Sequence, residues 1–259
     1  MWKHVAASQV GTSHLDSGLP CQDAYAIEVY DSEIGQALIF ACSDGAGSAS
    51  HSQIGSHLAC ECFLRFAKEY LQTKADDSLS LGIHESRMWI REIRKKLEEK
   101  AVELDVELRE LACTLLAGIL LERHSFFMQI GDGAIVAKDD VKLIPVFWPQ
   151  SGEYVNTTNF LTDEESELKL DFLESRRVDE LAVFTDGLER LLLRFDDKSV
   201  HEPAIAPMLR YLETANSEQM LNISQEITEF LDSPQINERT DDDKTLILGI
   251  RTPSDASLH

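Results

Sequence analysis

The sequence lacks long apolar runs and is poor in positive charge, and both shortages limit what the protein can be. No stretch of its 259 residues approaches the ~20 consecutive apolar residues that cross a bilayer, and residues 1–10 lack the apolar core of a signal peptide. Lys and Arg total 24 against 46 Asp and Glu, so the net charge is −22. Because like charges repel, a nucleic-acid backbone or an anionic membrane is an unfavourable partner. We therefore expect a cytoplasmic protein that binds cations, although a solvated acidic surface accounts for most of the charge.

Cysteine is scarce and irregularly placed. The five cysteines are Cys21, Cys42, Cys60, Cys62 and Cys113. An odd number with this scatter matches neither a disulfide framework nor the paired spacing of a zinc knuckle, so we expect buried, unreactive thiols. Ser43 is not a serine-hydrolase nucleophile either, because the sequence around it has no G-x-S-x-G elbow.

Linkers and repeats are also missing. No Pro-, Gly- or Ser-rich segment divides the chain and no internal repeat is visible. Since two-layer β folds reach this length as one unit, we expect a single domain over residues 1–259. Residues from about 150 to 178 are polar and acidic with little periodicity, which predicts a mobile, flap-like insertion within that domain.

The apolar pattern predicts strands, then two helices, then strands, helices and a final strand. The first helix is indicated by apolar residues that recur every four positions, namely Ile54, Leu58, Cys62, Phe66 and Tyr70. Further helices are predicted at about 84–108, 204–212 and 217–231. Strands are predicted at 4–10, 24–30, 36–43, 111–122, 125–133, 134–138, 142–148, 180–187 and 245–251, with hairpins among the closely spaced ones. This order is not the regular alternation of a parallel βαβ fold and favours an α+β sandwich of antiparallel sheets with helices outside.

Five aspartates are each predicted to lie where a strand meets a turn: Asp23, Asp44, Asp132, Asp186 and Asp242. A rigid strand end holds a carboxylate in a fixed place, and a following Gly lets the chain turn sharply. Several carboxylates converging there would repel one another without a cation, and such oxygen ligands suit Mg²⁺ or Mn²⁺. Two ions about 3.5–4 Å apart can share a water and lower its pKa. Any one Asp-Gly is more often a simple turn, so the prediction depends on the whole set.

The order of short motifs is more specific than any one of them. QDA, SDGAGSA, CTLLAG, GDG, FTDG and DDKT follow one another between about residues 11 and 250. The series resembles the type 2C metal-dependent protein phosphatases, and the segments GTSHLDSGLPCQDAY and YVNTTNFLTD resemble a bacterial subgroup of that family. The resemblance implies a β-sandwich of two antiparallel sheets flanked by helices. It also implies hydrolysis of phosphoserine or phosphothreonine by a metal-activated water, phosphoprotein substrates and a cognate Ser/Thr kinase as partner.

The resemblance also implies roles for individual residues. Asp44 would bridge two Mn²⁺ or Mg²⁺ ions, and Gly45 would offer its carbonyl to one of them. Asp186 and Asp242 would complete the shell of the other ion. Asp23 would hold a metal-bound water or touch the second ion. We therefore predict Asp44, Asp186 and Asp242 as catalytic residues.

Several positions depart from the family pattern. Asp132 is similar to the Asp that binds a third, weaker metal, but the Ser-Arg that often follows is missing. Many members have an Arg upstream of the first Asp that clamps the substrate phosphate, and this chain has no Arg or Lys between His14 and Asp23. We predict His14 as a candidate for that substrate-binding role, with a structural or capping role as the alternative. Ala46 stands where eukaryotic members have a His proposed as general acid.

Other functions remain open. A catalytically weak or inactive phosphatase-like module would bind phosphoprotein without turnover, although loss of a metal ligand usually marks such proteins and Asp44, Asp186 and Asp242 are retained. A phosphatase with an Asp nucleophile usually needs a D-x-D pair after the first strand, and SDGAG lacks the second Asp. A plain acidic scaffold, in which the Asp-Gly pairs are only turns, is the third alternative.

Overall fold

The computed structural model describes residues 1–74, 81–151 and 158–252. Their strands are β1 (Trp2–Gln9), β2 (Ala24–Ser32), β3 (Gly35–Ser43), β4 (Leu115–Leu120), β5 (His124–Ile130), β6 (Ala134–Lys138), β7 (Leu143–Pro145), β8 (Asp171–Arg176), β9 (Glu180–Phe184), β10 (Leu193–Arg194), β11 (Ser199–Val200) and β12 (Lys244–Arg251). Within these residues one five-stranded sheet has the order β1-β12-β9-β6-β7, and a second has the order β2-β3-β4-β5-β8. Neighbouring strands in both sheets are antiparallel.

The helices lie outside the two sheets. They are α1 (Thr12–Ser17), α2 (Ser52–Gln72), α3 (Ile83–Leu104), α4 (Glu189–Leu192), α5 (Glu202–Thr214), α6 (Ser217–Leu231) and α7 (Pro234–Asn237). Short 3-10 turns span Leu108–Leu111, Ser166–Leu168 and Asp186–Leu188. Among the described helices, none combines the length and the apolar character that a membrane crossing requires.

The two-residue period of the strands explains the layers. On β3, Leu38 and Phe40 point between the two sheets, while Ile39 and Ala41 belong to the cluster that packs against α2 and α3. On β12, Ile247 lies between the sheets, and its neighbours in sequence face α5 and α6. Successive residues of a strand face opposite sides, so each central strand is buried on both faces. The predicted α+β sandwich flanked by helices is confirmed.

The connection between β5 and β6 differs from the prediction. The sequence predicts hairpins throughout residues 111–148, and β4–β5 and β6–β7 are such pairs. However, β5 and β6 belong to different sheets. The turn between them contains Gly131 and Gly133 at φ of 96° and 80°, a region that residues with a side chain rarely adopt. The turn therefore carries the chain from one sheet to the other and places Asp132 between them.

Part of the predicted insertion at 150–178 is regular structure. Residues 152–157 lie outside the described part of the chain, but Asp171–Arg176 forms a regular strand, β8, along β5. As an edge strand β8 is only half-buried on its inner side, so its sequence lacks the apolar alternation that marks buried strands. Helix α1 was missed because six residues are too few to show a period. The single domain over 1–259 and the mobility of the insertion stay predictions.

Most of the cysteines are buried, as expected. All five are free thiols, and Cys42, Cys60, Cys62 and Cys113 are buried while Cys21 is half-buried. Burial raises the pKa of each of these thiols, and nearby carboxylates raise that of Cys21 further. Since the thiolate is the reactive form, none of the five is activated as a nucleophile.

Candidate metal centre

One end of the sandwich collects the predicted aspartates. Asp44 directly follows β3, Asp186 closely follows β9, and Asp23 directly precedes β2. Asp242 closely precedes β12, and Asp132 lies in the turn between β5 and β6. Neighbouring strands run in opposite directions. The last residue of one strand and the first residue of its neighbour therefore lie at the same end of the sheet. The antiparallel register therefore brings these residues together from both sheets.

Three of the carboxylates form a tight group. Asp44, Asp132 and Asp186 each have a carboxylate oxygen within 4.8 Å of the others. Loss of surrounding water raises the pKa of Asp44 well above its ordinary value, and the charges of Asp23, Asp186 and Asp132 raise it further. The same causes, with Asp242 as the nearest charge, raise the pKa of Asp186 to about 6. Like charges held this close destabilise one another unless a proton or a cation intervenes.

The donor set fits a hard divalent cation. All three groups supply carboxylate oxygens, which are the ligands that Mg²⁺ and Mn²⁺ prefer, and no thiol or imidazole is among them. A bound cation removes the repulsion that raises their pKa values. The residues present therefore match the predicted metal in their chemistry and in their proximity.

Thr114 fixes the backbone that carries Asp44. The Asp44 N–H donates to Thr114 Oγ1 over 2.9 Å, and the Thr114 N–H donates to the Asp44 carbonyl over 2.8 Å. The Ser43 hydroxyl donates to the Thr114 carbonyl over 2.6 Å. Thr114 belongs to the CTLLAG segment, so that motif positions the first Asp-Gly rather than supplying a ligand of its own.

Gly45 and Gly187 are required by close packing. A Cβ at Gly45 would lie 2.7 Å from the Gln22 carbonyl oxygen, and one at Gly187 would lie 2.1 Å from the Asp243 carbonyl oxygen. Neither gap admits a side chain. Gly187 thus brings the loop before β12 against the loop after β9. That Gly45 offers its carbonyl to a metal stays a prediction.

Asp23 lies outside the group of three and is bound by hydroxyl groups. Its Oδ2 accepts hydrogen bonds from Thr185 Oγ1 and Thr245 Oγ1, over 2.7 and 2.8 Å. Burial, followed by the charges of Asp243 and Asp186, raises the pKa of Asp23 to about 8. Thr185 links Asp23 to the start of the loop that carries Asp186, and Thr245 links it to β12, just after the loop that carries Asp242. A role in holding a metal-bound water stays a prediction.

Asp242 is exposed beside the group, and its neighbour Asp243 was missed by the sequence analysis. The buried carboxylate of Asp243 accepts the N–H of Gly11 over 2.6 Å and that of Gln22 over 2.5 Å. These bonds fasten the segment around α1 to the loop before β12. The only sequence signal is a run of three aspartates at 241–243, which does not show which member is buried.

His14 contacts Asp243. Its Nδ1 lies 2.9 Å from Asp243 Oδ2, and its side chain is 13% exposed. An imidazole in this position stabilises a buried carboxylate, which agrees with the structural alternative weighed for His14. The predicted substrate-binding role of His14 stays a prediction.

Glu189 is a further carboxylate that the sequence analysis missed. It begins α4, three residues after Asp186, and its Oε1 accepts the Gly133 N–H over 2.6 Å. Burial, followed by the charges of Asp132 and Asp186, raises the pKa of Glu189 to about 7. The extension of FTDG to FTDGLE is the only signal for it.

Comparison with known proteins agrees with the fold. A family model described as Protein phosphatase 2C matches residues 10–232. Serine/threonine-protein phosphatase 3 of Escherichia coli (strain K12) is 37% identical over 253 residues, which cover 96% of this chain and 98% of that protein.

Solved structures with the same fold include several phosphatases. A bacterial serine phosphatase has a TM-score of 0.67 at 14% identity, covering 98% of this chain and 100% of that one. Serine/threonine phosphatase Stp1 from Staphylococcus aureus has a TM-score of 0.64 at 16% identity, covering 98% and 96%. The catalytic domain of the phosphatase PstP, solved in complex with 2 manganese ions, has a TM-score of 0.61 at 14% identity, covering 96% and 97%. At these identities the likeness concerns the fold.

Proposed function

The chain belongs to the protein phosphatase 2C family, and from that premise we propose that it hydrolyses phosphoserine and phosphothreonine in proteins, using a pair of Mn²⁺ or Mg²⁺ ions. The observation that carries the proposal is the group formed by Asp44, Asp132 and Asp186, whose carboxylate oxygens lie within 4.8 Å of one another. The name of the E. coli relative supports the substrate class. The manganese ions in the PstP structure support the cofactor.

Roles are proposed for each predicted residue of the site. Asp44 would bind both ions, Gly45 would add its carbonyl, and Asp186 and Asp242 would complete one shell. Bound metal ions supply a water of lowered pKa and polarise the phosphate. Thr114 holds the backbone of Asp44, so the position of that carboxylate does not depend on the ions alone.

Asp23 has a separate proposed role. Burial raises the pKa of Asp23 to about 8, which favours its protonated form before any cation binds. The hydroxyls of Thr185 and Thr245 keep its Oδ2 fixed. A neighbouring cation would displace that proton, after which Asp23 is an acceptor that orients a water at the centre. His14, which contacts Asp243, is the proposed but weaker candidate for contact with the substrate phosphate.

Cellular context is proposed on the family resemblance alone. The substrates would be phosphoproteins in the bacterial cytoplasm, and a cognate Ser/Thr kinase would be the signalling partner. The proposed single domain over 1–259 would carry the mobile insertion at about 150–178, within which residues 171–176 form strand β8.

Phosphate release from phosphoserine and phosphothreonine peptides, with and without chelator, tests the proposal. Activity should be lost in chelator and return when Mn²⁺ or Mg²⁺ is added, because the carboxylate group has the donor chemistry of a metal site. A phosphotyrosine peptide of the same sequence is the matched control for substrate class. Full activity in chelated buffer would exclude the two-metal proposal. Binding of the peptides without turnover would instead support the inactive module, and a phospho-aspartate would support the Asp nucleophile.

Asp132→Ala should separate the third proposed metal from the tight pair. We expect turnover of a phosphopeptide to fall about a hundredfold, the lower end of what a positioned proton donor contributes, while two ions remain tightly bound. The reason is that Ala46 cannot act as the general acid, and an ion held by Asp132 would help to orient substrate or would supply the proton through its own bound water. Calorimetric Mn²⁺ titration beside steady-state kinetics measures both quantities.

Asp140→Ala is the control for Asp132→Ala, since Asp140 is an exposed residue in the turn before β7. If Asp132→Ala abolishes the tight sites, Asp132 belongs to the core pair. If neither metal binding nor rate changes, the residues at 131–133 form only a turn.

A further inference from the structure

The turn that carries Asp132 is held on both sides by side chains from distant parts of the chain. The N–H of Gly131 donates to Gln150 Oε1 over 2.8 Å, and the N–H of Gly133 donates to Glu189 Oε1 over 2.6 Å. These two donors directly flank Asp132. These two bonds hold the backbone on either side of Asp132, whose carboxylate also interacts with the Thr158 hydroxyl.

The turn has little freedom to move within this frame. A Cβ at Gly131 would lie 2.5 Å from Thr114 Cγ2, and one at Gly133 would lie 2.7 Å from the Phe184 carbonyl oxygen. Both glycines also adopt positive φ. Close packing sets the path of the backbone, and the two side-chain acceptors fix the orientation of its peptide groups.

Gln150 uses both ends of its amide. Its Oε1 also accepts from Asn159 Nδ2 over 3.0 Å, and its Nε2 donates to the Lys169 carbonyl over 2.8 Å and to Asp171 Oδ2 over 2.7 Å. The amide thus joins the Asp132 turn to residues 159–171, in the later half of the predicted insertion. A rearrangement of that segment would reach Asp132 through the Gln150 amide and through Thr158, whose hydroxyl interacts with the Asp132 carboxylate.

Glu189 makes the corresponding link on the other side. It lies three residues after Asp186 at the start of α4, so its bond to Gly133 ties the loop of one proposed ligand to the turn of another. Its carboxylate is half-buried beside Asp132 and Asp186. A carboxylate that is half-buried beside two others is unfavourable unless it has a hydrogen-bond donor. The Gly133 N–H is such a donor for Glu189.

We propose that Gln150 and Glu189 are positioning residues that orient Asp132 within the carboxylate group. The inference rests on the proposed phosphatase function and deepens it. Removal of a residue that orients a metal ligand, without binding the metal itself, typically lowers metal affinity or activity about 10- to 100-fold. Their loss should therefore reproduce part of the Asp132→Ala phenotype, with slower phosphopeptide turnover and the tight Mn²⁺ sites intact.

Two substitutions at Glu189 separate positioning from charge. Glu189→Ala removes the acceptor, and we expect phosphopeptide kcat to fall about tenfold. Glu189→Gln keeps an oxygen for the Gly133 N–H and loses only the charge, so it should retain most of the rate. Glu229→Ala, an exposed change on α6, is the control. If Glu189→Gln is as slow as Glu189→Ala, the charge acts on a cation and positioning is excluded for this residue.

A double mutant tests whether Glu189 acts through Asp132. When two residues work through one group, their effects on rate do not add. The variant with both Asp132→Ala and Glu189→Ala should therefore be no slower than Asp132→Ala alone. An additional tenfold loss would contradict the proposal, because Glu189 would then act elsewhere. Mn²⁺ titration and thermal melting of each variant confirm that the fold and the tight sites persist.

Gln150 allows a rescue experiment. Gln150→Glu keeps the acceptor for Gly131 but places a carboxylate against Asp171, so kcat should fall about tenfold. Adding Asp171→Asn restores an amide-carboxylate pair with exchanged partners, and the rate should recover in part, because the Lys169 carbonyl still lacks its donor. Failure to recover, with both variants folded and binding Mn²⁺, would overturn the role of Gln150. A wild-type protein without metal-dependent activity would refute the proposed function, whereas an active wild type with unchanged variants would refute only this inference.

Discussion

Asp44→Asn should reduce phosphopeptide turnover by about a thousandfold, within the range for loss of a central catalytic group, and should raise the melting temperature of the metal-free protein. The first effect is expected because Asp44 is the proposed bridging ligand. The second follows because the pKa of Asp44 is raised by burial and by the charges of Asp23, Asp186 and Asp132. An amide of the same size removes that repulsion. Steady-state kinetics and melting in chelator measure the two effects on one sample.

The opposite signs of these effects make the test specific. A substitution that merely damages the fold lowers both activity and stability, whereas removal of a functional charge lowers the first and raises the second. Asp186→Asn and Asp242→Asn should behave in the same direction, and the exposed Asp140→Asn should change neither. If all three site variants keep more than about a tenth of the wild-type rate, a loss smaller than that of a typical acid–base group, the site is misplaced. Mn²⁺ should stabilise the wild type strongly and Asp44→Asn weakly.

The candidate ligands were predictable because each is marked locally. Asp44, Asp132 and Asp186 each follow an apolar run and precede a glycine. Both features can be recognised from a few neighbouring residues of the sequence. The contact among them depends on sheet register and on the crossing from β5 to β6. No local pattern encodes that crossing, since the spacing of the two strands equally suits a hairpin.

Residues that hold the site were not predictable in the same way. Asp243 differs from Asp242 only because the segment around α1 packs on it and donates two N–H groups. Gln150 and Glu189 matter because the chain returns to the turn at Asp132 from positions 19 and 56 residues later. The strand β8 was not predicted because, as a partly exposed edge strand, it lacks the apolar alternation of a buried strand. Each of these features depends on contacts between segments that are distant in sequence. The alternation of apolar residues and the spacing of motifs do not predict such contacts.

The metal-free protein should lose stability as the pH rises from about 5 to 8. The pKa values of Asp186, Glu189 and Asp23 are raised to about 6, 7 and 8, in each case mainly by burial. An acid whose folded pKa is raised stabilises the fold fully below its unfolded pKa, and this stabilisation is lost as the pH rises through the folded pKa. For Asp186 alone the whole loss corresponds to about 3 kcal/mol, of which about half falls above pH 5. Melting temperature in chelator, followed against pH, should fall by about 5–10 °C.

Asp186→Asn isolates this contribution from other titrating groups. His4 has a pKa lowered by burial, so its contribution rises with pH and opposes the carboxylates in the wild type and in the variant alike. The variant should therefore melt slightly above the wild type at pH 5 and further above it at pH 8. Saturating Mn²⁺ should reverse the wild-type trend, because cations compete with protons for the carboxylates and bind better as the pH rises. If the melting temperature of the metal-free wild type instead rises steadily from pH 5 to 8, the carboxylates at this end of the sandwich do not repel one another, and the electrostatic case for a metal centre there fails.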